Sequence, residues 1–151
     1  MTKQVAEQKK QAEHEQAQAY IRDMVALCGF SHLTDDEQKK IDDGKDDPEQ
    51  VRYALNRIID DRVIYWKNMM TDLEDSFQKL QGIKQSYAYS WDEALEHTYQ
   101  GKAGYLLASY KEAKNQKEVW EDTRLRLKNW TPVQAAKRIQ GQNNKPDPNS
   151  L

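Results

Sequence analysis

The chain has 151 residues, the size of one domain, with 37% apolar and 32% charged side chains and a mean hydropathy of −1.07. Its 23 basic and 25 acidic residues leave a net charge of only −2, and that balance, with 9% aromatic residues, excludes the composition of a wholly disordered chain. No run of about 18 apolar residues exists, which excludes a membrane-spanning helix, and the charged, Gln-rich start has no apolar segment of the signal-peptide kind.

An apolar content below the usual ~45–50% predicts a thin core. Long helices packed over part of their length, or faces completed by a partner, satisfy that arithmetic. In chain order, start and stop signals predict five helices, at about 3–28, 35–43, 48–81, 91–129 and 132–140. The first is two-part. Residues 1–18 are nearly without an apolar face and read as a polar, mobile arm, whereas Ala19–Phe30 is core-facing. Cys28, the single cysteine, sits beside Met24, Val25 and Leu27 and reads as a small buried hydrophobe. With no internal disulfide available, a reducing, cytoplasmic setting is expected.

Thr34-Asp35-Asp36-Glu37 is a capping box for the second helix, in which the Thr hydroxyl and the Glu carboxylate satisfy free backbone N–H groups. Asp47-Pro48-Glu49-Gln50 starts the third with an Asp cap and a Pro at the first helical position. Its apolar stripe, Val51, Leu55, Ile58, Ile59, Trp66, Met69, Leu73, Phe77 and Leu80, steps by three and four. Ser90-Trp91-Asp92-Glu93 reads as a second capping box. The fourth helix carries Trp91, Leu95, Thr98, Tyr105, Ser109, Ala113, Trp120, Thr123 and Leu127 on one path, flanked by Leu106, Tyr110 and Val119. Lys111–Glu118 looks solvated and is expected to project beyond its neighbour. Thr131-Pro132-Val133-Gln134 starts the last helix, and Gly29, Gly44, Gly82 and Gly141 mark stops where a left-handed residue closes the final turn. The expected fold is all-α: a helical bundle built on a long antiparallel hairpin with shorter flanking helices, its domain at 19–141 and a disordered tail at 142–151.

Four constellations bear on function. Tyr87, Tyr89, Trp91 and Tyr99 gather around the interhelix turn, and Tyr and Trp are favoured at protein interfaces. Residues 1–100 hold 13 basic and 20 acidic side chains, whereas 101–151 hold 10 and 5. In that basic end Trp120, Arg124, Arg126, Lys128, Trp130, Lys137 and Arg138 interleave charge for phosphates with rings for bases, the pattern of nucleic-acid binding. Arg62 falls on the apolar stripe and is expected to pair with a carboxylate or snorkel between helices.

The fourth set is acidic: Asp72 with Asp75, and Glu93 with Glu96 and His97. Such spacings place two oxygens on one helix face, as a Mg²⁺ site requires. The arrangement resembles the paired acidic motifs of all-α nucleotide pyrophosphohydrolases, with the order of the pairs reversed and both close to the turn. Glu93 with His97 also resembles half of a ferritin-like metal motif, but His14, His32 and His97 do not supply the remainder. There is no Gly-rich phosphate loop, no Cys-x-x-Cys and no Gly-x-Ser-x-Gly.

These features favour a non-enzymatic helical protein–protein interaction module, an adaptor, inhibitor or assembly factor, with no cofactor, no bound metal, a protein partner and self-association. The Gln/Asn/Lys-rich, motif-poor style resembles small accessory proteins of phages or mobile elements. Two alternatives remain: a nucleic-acid-binding accessory protein using the basic C-terminal region, and a metal-dependent all-α nucleotide hydrolase using the acidic pairs.

Overall fold

The structure, a computed structural model, describes residues 3–87 and 89–132. Four α-helices follow one another, α1 (Lys3–Cys28), α2 (Asp35–Asp42), α3 (Pro48–Ser86) and α4 (Glu93–Asn129), with no strand among the described residues. The long helices α3 and α4 pack closely against each other as an antiparallel hairpin, so the fold is the expected helical bundle. The helix expected at 132–140 and the tail at 142–151 lie outside the described residues.

Local chemistry accounts for most boundaries. The Thr34 hydroxyl accepts from the Glu37 N–H at 3.2 Å, and the Glu37 carboxylate accepts from the Thr34 N–H at 3.0 Å, so the capping box forms reciprocally. Asp47 caps α3 by accepting from the N–H groups of Glu49 and Gln50. Gly29 alone among the described glycines adopts a left-handed backbone, at φ 63°, and ends α1 as expected.

Three boundary expectations are corrected. Gly44 does not take up the left-handed role, which passes to Lys45 at φ 47°. Gly44 is buried instead, its Cα against Val51, so that a side chain there would collide. Gly82 stops nothing: α3 runs through it to Ser86, and a Cβ there would meet open space. The α4 cap is Asp92, whose carboxylate accepts from the Leu95 N–H at 2.8 Å, and not Ser90. The nearer acid closes the turn once α3 has consumed most of the connection.

The chain forms two compact units. Unit 1, Met1–Ile58 with Thr123–Leu151, contains α1, α2, the start of α3 and the end of α4. It holds most of the fully buried side chains: Met24, Cys28, Ile41, Val51, Leu55, Ile58, Leu127 and Trp130. Each buried Leu, Ile, Val or Met contributes roughly 1.5–3 kcal/mol, so the hydrophobic stabilisation is concentrated here. Along α1, residues 3–16 are exposed, and His14 Nδ1 lies 2.9 Å from the Asp46 carboxylate while Gln18 donates to the same acid.

Unit 2, Ile59–Asp122, is the remaining length of the hairpin. Its buried side chains among the described residues are Ile59, Val63 and Ala113. Val63, not Arg62, takes the buried place on α3, and Arg62 is half-buried. Past it, Trp66, Met69, Leu73, Phe77 and Leu80 are only half-buried. The α4 stripe departs from expectation at two positions, while Trp91, Leu95, Ser109, Ala113, Trp120, Thr123 and Leu127 are buried or half-buried as expected. Tyr99, Leu106 and Tyr110 lie along the seam, whereas Thr98 is exposed and Tyr105 is 72% exposed. Lys111–Glu118 does not project free of contact, since Ala113 within it is completely buried. Two helices cover only one stripe of each other, so a hairpin leaves both sides of its seam open.

Candidate interaction surface

The turn end of the hairpin is organised by Lys84 near the end of α3. Its ammonium lies 3.0 Å from the Glu96 carboxylate, 4.5 Å from the Tyr99 ring centroid and 5.5 Å from that of Trp91. Trp91 meets Tyr99 edge-on at 5.9 Å and Tyr87 at 6.2 Å, and its indole N–H donates to Glu96. Glu96 also accepts from Gln100. The hydrogen bonds from Gln100, Trp91 and Lys84, aided by the Lys84 charge, hold the Glu96 carboxyl down at about 2. Of the four aromatic residues predicted as a surface, Tyr87, Trp91 and Tyr99 thus come together around one ion pair, and Tyr89 stands apart, fully exposed. This cluster closes the hairpin end, with Tyr87 its exposed member and Tyr89 exposed outside it.

Further along the hairpin, on one side of the seam, a groove of about 780 Å³ is lined by Leu73, Phe77, Leu107 and Tyr110, together with the small Ala103 and Gly104 of α4. Gln78, Gln81 and Gln100 supply amide groups at its edge. Glu74 accepts a hydrogen bond from the Tyr110 hydroxyl, which together with partial desolvation raises the phenol above its ordinary range. Leu107 is 55% exposed, a large aliphatic side chain with no cover. On the other side a groove of about 430 Å³ is lined by Ser76, Lys79, Leu80, Ile83, Lys102 and Tyr105 among others. Neither groove was singled out in the sequence. The available signal was the alternation of small residues, Gly101, Ala103 and Gly104, with Tyr105, Leu106 and Leu107 in one helix: small residues leave space that a single neighbouring helix does not fill.

The basic end is less uniform than its sequence suggests. Arg124, Arg126 and Lys128 are exposed and Trp120 is half-buried. Trp130 is 3% exposed, with Tyr20 edge-on at 5.8 Å and the Arg52 guanidinium 5.4 Å from its ring centroid. Its ring therefore offers no free face to a base. Arg52 is a residue the sequence reading missed: one guanidinium nitrogen donates to the carbonyls of Leu127 at 2.6 Å and Trp130 at 2.9 Å. Lys137 and Arg138 lie outside the described residues.

The acidic pairs do not share a site. Glu96 is level with Lys84 and bound to it, whereas Asp75 lies nine residues, about 13 Å, further down α3 at 1.5 Å per residue. No group of three or more His, Cys, Asp or Glu side chains among the described residues is placed to hold a metal ion. No described helix is long and apolar enough to cross a membrane. The chain matches no protein-family model, no curated protein and no solved structure.

Proposed function

We propose that this protein is a non-enzymatic helical interaction module, acting as an adaptor, inhibitor or assembly factor, and that it takes an amphipathic helix of a partner protein in the groove of Leu73, Phe77, Leu107 and Tyr110. The observation that carries this reading is the half-covered hairpin. From Val63 on α3 round the turn to Ala113 on α4, no described residue between the two is buried, while the seam residues keep an apolar groove of about 780 Å³ open beside them. A helix laid in a groove between two helices is a recurrent recognition mode, reading anchors at three- and four-residue spacing. Gln78, Gln81 and Gln100 offer amides to polar groups of the partner, beside the one carboxylate of the lining, Glu74. The lone buried thiol suits a reducing cytoplasmic setting.

The test is affinity capture of the full chain from its native lysate with and without nuclease, run in parallel with Leu107→Glu. A stoichiometric protein that survives nuclease and is lost with Leu107→Glu supports the reading. A captured set indifferent to Leu107→Glu argues against this groove. Partners that vanish with nuclease and fall steeply with salt favour the alternative, nucleic-acid binding through the exposed Arg124, Arg126 and Lys128.

A further inference from the structure

We infer that the opposite side of the hairpin, the face of Ser76, Lys79 and Tyr105, pairs with a second copy of this chain, α3 against α3 and α4 against α4, about a two-fold axis perpendicular to the helices. The inference rests on the interaction reading above but concerns the other side of the seam.

The argument begins from spacing. Lys79 and Tyr105 line the same groove. Asp72 precedes Lys79 by seven residues and Glu112 follows Tyr105 by seven, so each lies two turns along the same stripe. Lys102 lines the groove as well. This face therefore carries two basic residues toward the turn and two acidic residues away from it. All four are exposed, and among the described residues none is in an ion pair; Glu112 accepts only an amide hydrogen bond from Gln116.

The pattern is complementary to itself in one orientation. If a second copy lay with its helices running the same way, lysines would face lysines. Reversed, Lys79 comes over Asp72 of the second copy when the axis passes the midpoint of those two residues, between Asp75 and Ser76. Lys102 comes over Glu112 when the axis passes their midpoint at Leu107. The hairpin register is given by Lys84 against Glu96 and Tyr99, and Glu74 against Tyr110. In that register Leu107 is level with about Phe77. The two helices thus place the axis independently at the same height, to within about 2 Å.

The apolar and small residues agree with that axis. Ser76 lies beside it on α3 and Ser109 just beyond it on α4, and small side chains let helices approach closely. Tyr105, 72% exposed, falls over Ser109 of the second copy, a large side chain against a small one. Ile83, 53% exposed, comes within one residue of Met69 of the second copy. An isologous interface requires this reciprocity, in which each residue of a contact is repeated with the copies exchanged.

The experiment is sedimentation velocity on the full chain across a dilution series, for the wild type, an all-acidic variant (Lys79→Glu with Lys102→Glu) and an all-basic variant (Asp72→Lys with Glu112→Lys). Each reversal turns four symmetry-related attractions into repulsions, and about a tenfold or greater weakening is expected for each variant alone. An equimolar mixture should recover the dimer as a heterodimer. A wild type that stays monomeric overturns the inference and leaves the groove of Leu107 untouched as a partner site. A dimer indifferent to the reversals, or variants that fail to pair when mixed, also overturns it. An independent readout in the wild-type background is Ser76→Cys with a short thiol crosslinker, which should give a covalent dimer where Gln81→Cys, on the other side, does not. The converse crosslinking pattern would refute this face.

Discussion

Replacing Arg52 with alanine removes four interactions of one side chain at once. Its guanidinium holds the carbonyls of Leu127 and Trp130, which end α4, and lies over the Trp130 ring. Hydrogen bonds from a charged donor contribute roughly 1.5–3 kcal/mol each, and the side chain is only 16% exposed, which limits screening. The cation–π contact adds about 0.5–2 kcal/mol. The Glu49 pair adds under about 1 kcal/mol, because that acid is 77% exposed. Water can reach the freed carbonyls in part, so a net loss of about 3 kcal/mol is expected, a large share of a typical domain's 5–15 kcal/mol. Urea denaturation followed by tryptophan fluorescence and far-ultraviolet circular dichroism reads this as a lower midpoint at constant slope. Arg52→Lys should retain about half of the stabilisation, since one ammonium reaches one carbonyl well, and Glu49→Gln should cost under about 1 kcal/mol. A loss below about 1 kcal/mol for Arg52→Ala, or equal losses for Arg52→Ala and Glu49→Gln, would refute the view that this arginine ties the end of α4 to α3.

Two further predictions concern glycines and acid. At Gly44 an added Cβ would come within 2.5 Å of Val51 Cγ2, itself completely buried, so Gly44→Ala should lower stability by about 1–3 kcal/mol. Gly82→Ala, in a helix interior with open space around it, should raise stability by about 0.5–1 kcal/mol; thermal melts of the two variants should move in opposite directions, and a shared sign would show the packing argument to be wrong. Glu96 is depressed from 4.5 to about 2 in the folded chain, so its stabilising contribution is present in full above about pH 4.5 and is lost as pH falls toward 2. Melting temperatures measured across that window should therefore fall less steeply for Glu96→Gln than for the wild type, and parallel curves would remove Glu96 from the acid response.

The fold class and most helix starts were legible because they depend on contacts within a few residues. Thr34 with Glu37, and Asp47 before Pro48, act locally and form as their spacing demands. Apart from the local shifts from Ser90 to Asp92 and from Gly44 to Lys45, the failures share a cause: each depended on a distant neighbour. Gly82 is a stop only if the chain turns there, and it continues to the Lys84 cluster instead. The α4 stripe was ambiguous because Tyr105 and Leu106 are adjacent, and only the register against α3 decides which faces the seam. Val63 outcompetes Arg62 for the buried position for the same reason. Trp130 looked like a base-stacking ring beside arginines 124 and 126, yet the arginine that occupies it is Arg52, 78 residues away. The grooves were invisible to sequence because they arise from what a two-helix hairpin leaves uncovered, not from any residue's own chemistry.

The single cysteine has a practical meaning. Cys28 is 4% exposed, and burial pushes its thiol up to about 12. At neutral pH the buried sulfur is therefore almost never a thiolate, and an alkylating reagent must wait for an opening that exposes it before it can react. Because the chain has no other thiol, the modification rate reports on openings at this site alone, and it equals the opening rate when the reagent reacts faster than the site recloses. The natural sequence thus carries its own clock for the loosening of unit 1, read without adding a label.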